Sequence, residues 1–148
     1  MKKFIAATAT FLALTASSFG WEIKEEVDVM TDKVTKYASA RSLKGQDAEF
    51  VITCSKNRPL MMVFYGRGVF LGFEGSKEVA YRIDDKKAEQ YNFYVVKGGK
   101  TIVSSDNIGI VKEMMAGNQI IIKTDEHISF FTLQGLTETV KQLEGCGL

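Results

Sequence analysis

Cys54 and Cys146 are the only cysteines in the 148-residue chain, and behind an export signal they constrain its fold more than any other feature. The chain opens with Lys2 and Lys3, followed by an apolar run from Phe4 to Ala16. That run has the length of a signal-peptide core and falls short of the roughly 20 residues a spanning helix needs. Ser18 and Gly20 suit the small-residue positions of a cleavage site, which places the cut after Gly20; a cut at Ser17 or Ser18 is the variant, and an uncleaved anchor the alternative. No cysteine lies near the junction, which argues against a lipid anchor. In an oxidising compartment two cysteines pair by default. Closing a loop of roughly 90 residues contributes on the order of 4–5 kcal/mol in the chain-entropy model. A redox-active thiol is the other reading, but no Cys-x-x-Cys supports it.

Residues 1–20 are thus expected to be a signal peptide and residues 21–148 a single domain large enough for its own core. The full chain has 19 Lys and Arg against 18 Asp and Glu, and the leader carries two lysines and no acid. A near-neutral mature domain lacks the clustered cations on which nucleic-acid binding relies. No second apolar run reaches spanning length, so no integral membrane segment is expected after cleavage, and the expected location is periplasmic or secreted.

Apolar residues recur at period two, which predicts strands with one buried face. Trp21, Ile23, Val27 and Val29 predict a first strand broken around Lys24–Glu26. Phe50 and Ile52 lead up to Cys54, and an Asn57-Arg58-Pro59 turn precedes Leu60–Tyr65. Val79, Tyr81 and Ile83 face one way while Ala80, Arg82 and Asp84 face the other. A charged turn at Asp84–Lys87 leads to a strand at Tyr91–Val96, and the paired glycines of Lys97-Gly98-Gly99-Lys100 suit a tight hairpin. Ile102–Ser104, Ile108–Met114, Gln119–Lys123 and Ile128–Leu133 extend the strand pattern, with Gly117-Asn118 turning between the second and third of these. Leu136, Val140 and Leu143 share a face of a short C-terminal helix, with Gly145 as its cap. The class expected is mainly β: an antiparallel sandwich or barrel with a short C-terminal helix and one disulfide, the bond tying the helix end to the strand at Cys54.

Chemistry is harder to find. Metal sites and Ser-His-Asp triads need convergent ligands or bases, and the one histidine, His127, sits in a polar turn. No cofactor or metal site is expected. Gly66, Gly68, Gly72 and Gly75 punctuate an apolar segment, but their spacing does not match a phosphate loop and no helix pattern follows. A mobile or bulged hairpin is expected there, with Arg67, Val69, Phe70, Leu71 and Phe73 forming either a contact surface or half of the core. Asp28 and Asp32 flank a polar turn, while Arg82 and Asp84 lie two apart and within reach of a shared hydrogen-bond network. Both pairs suit a structural role, or a ligand site in which the guanidinium grips a carboxylate.

The order of these features resembles a known family. Trp21, then Asp28-Val-Met-Thr-Asp32, a strand ending at Cys54, Val79-Ala-Tyr-Arg-Ile-Asp84, Phe131-Thr-Leu-Gln-Gly-Leu136, a short helix and Cys146 follow one another as in VasI-type proteins associated with type VI secretion, which also occur as stand-alone bacterial and phage proteins. The resemblance spans most of residues 21–148. It implies an exported accessory protein with no established catalytic activity, whose partner is another envelope or secretion protein. The chain departs from the family in the glycine-rich segment between Tyr65 and Gly75 and around Tyr91–Lys100, where an expected Trp is replaced by Tyr91 or Phe93.

Three functions are therefore open. The first is a non-enzymatic envelope interaction protein. The second is an inhibitor of a cell-wall hydrolase or protease, with the Tyr65–Gly75 loop as the plug. The third is a hydrolase or lyase using acids such as Asp84 and Asp85, which requires carboxylates clustered in a concave pocket.

Overall fold

A computed structural model describes residues 20–55, 58–96, 98–105 and 107–148. The leader up to residue 19, Asn57 of the turn before Pro59 and Lys97 of the glycine hairpin lie outside the described residues. The strands are β1 (Glu22–Asp28), β2 (Lys33–Arg41), β3 (Lys44–Gly45), β4 (Ala48–Ser55), β5 (Arg58–Gly66), β6 (Gly75–Ile83), β7 (Glu89–Val95), β8 (Thr101–Ser105), β9 (Gln119–Thr124) and β10 (His127–Thr132). The helices are α1 (Ile108–Met115) and α2 (Leu136–Val140). All ten strands form one antiparallel sheet in the order β1-β2-β4-β5-β8-β7-β6-β9-β10-β3. The mainly β antiparallel class is therefore as expected, but the sheet is single and unclosed.

It curls towards closure without a final ladder. β3 lies in the link between β2 and β4, yet it pairs with β10 from the far end of the strand order. At the other side of this seam, the Trp21 amide donates to the Gln134 carbonyl at 3.2 Å and Trp21 Nε1 donates to the Thr132 carbonyl at 2.9 Å. The inward residues of each strand fill the curl. Trp21 meets Phe50 edge-on at 5.5 Å, Phe50 meets Phe131 at 5.7 Å, and Phe131 meets Phe64 at 6.1 Å. All four side chains are buried.

The C-terminal helix forms as its spacing predicts, with Leu136, Val140 and Leu143 all buried. α2 ends at Val140 and Leu143 lies in a following turn, so Gly145 is not its immediate cap, although it does adopt a φ of +81°. The Cys54–Cys146 bond is present, with Cα atoms 5.1 Å apart across 92 positions. It fastens the segment after α2 to the end of β4.

Three local expectations are corrected. Ile108–Met114 is not a strand but α1, because Val111 and Met114, three apart, are the residues that reach the core. Gly117-Asn118 consequently turns from a helix into β9. β1 is continuous through Lys24–Glu26; from Glu25 onward both faces are exposed, so acidic residues do not interrupt it. β2, which the apolar pattern passes over, turns inward only the small Ala38 and Ala40. Since β2 first pairs with β4 at Tyr37, the β1–β2 hairpin projects beyond the sheet as an arm with Val27, Val29, Met30 and Val34 exposed.

Candidate functional site

The segment between β5 and β6 is not a hairpin. β8 and β7 stand between those two strands in the sheet, so residues 67–74 must cross one end of the curl. Their backbone is anchored at several points. Arg67 donates its amide to the Asp47 carbonyl at 3.1 Å, and its own carbonyl accepts from Gln46 Nε2 at 3.2 Å. The Leu71 amide donates to the Gly99 carbonyl at 2.6 Å, and Lys77 Nζ bonds both the Leu71 carbonyl and the Asp125 carboxylate. Val69 packs on the core and Leu71 is fully buried. Glycine is required at Gly66, where a Cβ would stand 2.7 Å from Val69 Cγ2 and 3.0 Å from Leu71 Cδ2. Two rings are left outside: Phe70 is 54% exposed and Phe73 87%, their centroids 5.2 Å apart and edge-on. The five loop residues thus divide into anchors (Val69 and Leu71, with the Arg67 backbone) and a displayed aromatic pair.

Arg82 and Asp84 are not brought together. Arg82 is exposed on β6 and makes no ion pair among the described residues. Asp84, at a φ of +49°, accepts from the Asn118 amide at 3.0 and 3.1 Å and from the Gln119 amide at 2.9 Å. It is the clasp between the β6 end and the turn after α1. Asp84→Ala is expected to destabilise the fold by about 1–3 kcal/mol because two backbone donors lose their acceptor, with Asp84→Asn milder, as measured by urea denaturation. Asp28 has the same kind of role: its Oδ1 accepts from the Met30 amide at 2.8 Å, and its carbonyl from Thr31 and Asp32, the latter at a φ of +55°. That Met30 hydrogen bond, with the Thr31 side chain, holds the Asp28 carboxyl below its ordinary range. His127 begins β10 opposite Thr124.

A second surface lies on the outer face of β2, β4 and β5. Glu26, Thr35, Tyr37, Glu49, Val51, Thr53, Val63 and Tyr65 line a groove of about 330 Å³. The register makes its floor: Val51 and Val63 stand side by side on β4 and β5. Tyr37 and Thr53 form the row on one side, Glu49 and Tyr65 the row on the other. Burial pushes the Glu49 carboxyl up, but its hydrogen bond to Lys24 at 2.7 Å and the charges of Lys24, Arg67 and Arg41 outweigh this and hold it below the ordinary range. Burial, then the charges of Glu49, Tyr37 and Glu26, push the Tyr65 phenol up. None of these residues is marked by local sequence, because the groove exists only once three strands are set in register. Among the described residues no three His, Cys, Asp or Glu converge as metal ligands, and no helix is long and apolar enough to cross a membrane.

The fold and these surfaces define a small antiparallel sheet domain, curled and unclosed, with a disulfide-tethered C-terminal helix and a displayed aromatic loop. It is similar to the crystal structure of invasion associated protein B from Bartonella henselae, with a TM-score of 0.59 and 12% sequence identity over 84% of this chain and 92% of that one. That likeness is one of fold. The chain matches no protein-family model and no curated protein sequence.

Proposed function

We propose that the protein is an exported, non-enzymatic interaction protein of the cell envelope, which grips another envelope or secretion protein through the loop bearing Phe70 and Phe73. One observation carries this reading: a backbone tied down at Asp47, Gly99 and Lys77 holds two phenylalanines in solvent. Aromatic side chains exposed on a preorganised loop supply contact area with little ordering cost on binding. The disulfide and the fold neighbour are compatible with export. The resemblance to VasI-type proteins makes a secretion component the first partner to test. Glu49 does not favour acid–base catalysis, since Lys24 holds it ionised rather than raised as a general acid requires.

The test compares co-purification of the wild type and a Phe70→Ser/Phe73→Ser variant from the host envelope. The variant is expected to keep its melting temperature, because exposed side chains contribute within about 0.5 kcal/mol, and to lose the partner. A partner retained by the variant overturns the reading. The anchoring also favours a second reading, in which the loop plugs the cleft of a cell-wall hydrolase or protease. Inhibition of a hydrolase panel by the wild type, lost on Phe73→Ser, separates the two; a flat panel removes the inhibitor.

A further inference from the structure

β1 stands at one end of the strand order and pairs with β2 alone. The Trp21 amide points to the free side of this strand, since it donates to the Gln134 carbonyl across the seam. Backbone groups along a strand point to alternate sides, so Ile23, Glu25 and Val27 turn their amides and carbonyls to that same free side. Among the described residues none of these groups has a protein partner. The outer half of β1 belongs to the arm, where only the two strands of the hairpin meet. Val27 faces Val34 across it, both are exposed, and Val29 and Met30 are exposed at its tip. An uncovered two-stranded ribbon is marginal, and a third strand completes such a unit. We infer that the free edge of β1 receives, antiparallel, an extended segment of a partner protein in which basic and apolar residues alternate. This contact goes beyond the Phe70–Phe73 loop and is separate from it. The arm extends from the Thr53 end of β4, whereas the loop leaves Gly66 beside Ala48 at the other.

The side chains of β1 set that pattern. Ile23 and Val27 lie on the face that Ile23 turns to the core, with Glu25 between them paired to Lys36 at 3.1 Å. Glu22, Lys24, Glu26 and Asp28 lie on the opposite face, three acids to one lysine. That lysine is held by Glu49 at 2.7 Å and Glu22 at 3.6 Å, while Glu26 forms no ion pair among the described residues. A neighbouring strand therefore meets apolar side chains on one face and excess carboxylate on the other, where residues of opposite charge pair favourably. A second copy of the chain is a poorer occupant. Two β1 strands paired about a two-fold with Ile23 opposite Val27 set Glu25 against Glu25 and Glu22 against Asp28. Like charges directly opposite destabilise a ladder. The acids thus protect the edge against its own kind, as charges on edge strands do, and leave it open to a basic segment.

The test titrates the isotope-labelled protein with acetyl-Lys-Val-Lys-Val-Lys-Val-Lys-amide and follows amide NMR shifts and hydrogen exchange. The amides of Ile23, Glu25 and Val27 are expected to shift saturably and to exchange at least about tenfold more slowly with the peptide bound. Opposite residues of an antiparallel pair share a face and exchange their hydrogen bonds, so the peptide's valines are the residues that bond β1. N-methylation of the valines should therefore abolish binding, whereas N-methylation of the lysines, whose amides face away, should retain it. The same peptide with glutamate for lysine should bind at least about tenfold more weakly, and Glu26→Lys should weaken the basic peptide several-fold. Binding that survives methylation of the valines, is lost on methylation of the lysines, is equalled by the acidic peptide or is unmoved by Glu26→Lys overturns the proposal. Shifts lying away from β1, or shifts that never saturate, overturn it as well. The loop is judged separately, by recovery of the envelope partner with and without Phe70 and Phe73, so either surface can fail without the other.

Discussion

Replacing Cys54 and Cys146 together by serine is expected to lower the unfolding free energy by about 4–5 kcal/mol, in the chain-entropy model for a loop of this length. That is close to the whole stability of a marginal domain, roughly 5–15 kcal/mol. The denatured chain gains most, because the bond closes 92 positions of sequence. The native state loses a tether at a particular place: Leu136, Val140 and Leu143 bury the C-terminal segment, and Cys146 follows them as its last fixed point. Hydrogen exchange in α2 should therefore rise before exchange in β4 or β5. Both cysteines are under a tenth exposed, so a mild reductant should react slowly with the native protein and rapidly once urea opens it. Equilibrium denaturation of the disulfide-free variant measures the first effect. A loss below about 1 kcal/mol would show that the tether adds little to the packing already there.

Much of this architecture is legible at the level of single segments. The alternation at Phe50–Ile52, Val79–Ile83 and Ile120–Ile122 marks buried strand faces, and the Leu136–Val140–Leu143 spacing marks a helix. Failures occur where burial is achieved by unusual means. β2 enters the core with Ala38 and Ala40, whose small side chains carry too little apolar signal, and α1 begins with Ile108 and Ile110, which alternate like a strand. Short apolar runs are ambiguous for this reason. The glycine-rich loop is legible in composition but not in shape. Nothing local shows that β5 and β6 are separated by β8 and β7, and that separation turns an expected hairpin into a crossing. The groove is less legible still, since its lining joins Tyr37, Val51 and Val63 from three strands. Arg82 and Asp84 mark the opposite case: adjacency on one strand face was visible, but Asp84 turns to the Asn118 and Gln119 amides instead.

The second large effect is expected at Phe131. It is fully buried on β10, between Phe50 and Phe64, whose ring centroids lie 5.7 and 6.1 Å away. Phe131→Ala should destabilise the domain by about 3–5 kcal/mol, because the transfer free energy of the ring is lost and a cavity remains. Phe131→Leu should cost less, since much of the volume is kept. The position amplifies the loss. β10 borders the seam where the sheet is not closed, and its Thr132 carbonyl holds Trp21 Nε1, while Phe130 pairs with Lys44 of β3. A void under β10 therefore loosens both sides of the seam, and Trp21 fluorescence should report the opening during urea denaturation. A loss under about 1 kcal/mol would place the core's weight elsewhere. Phe73, 87% exposed, is the control of the same residue type: its removal should spare stability and abolish partner recovery. If Phe131→Leu, refolded and intact, still binds the partner while Phe73→Ser does not, packing and recognition reside in separate aromatic sets of one small sheet.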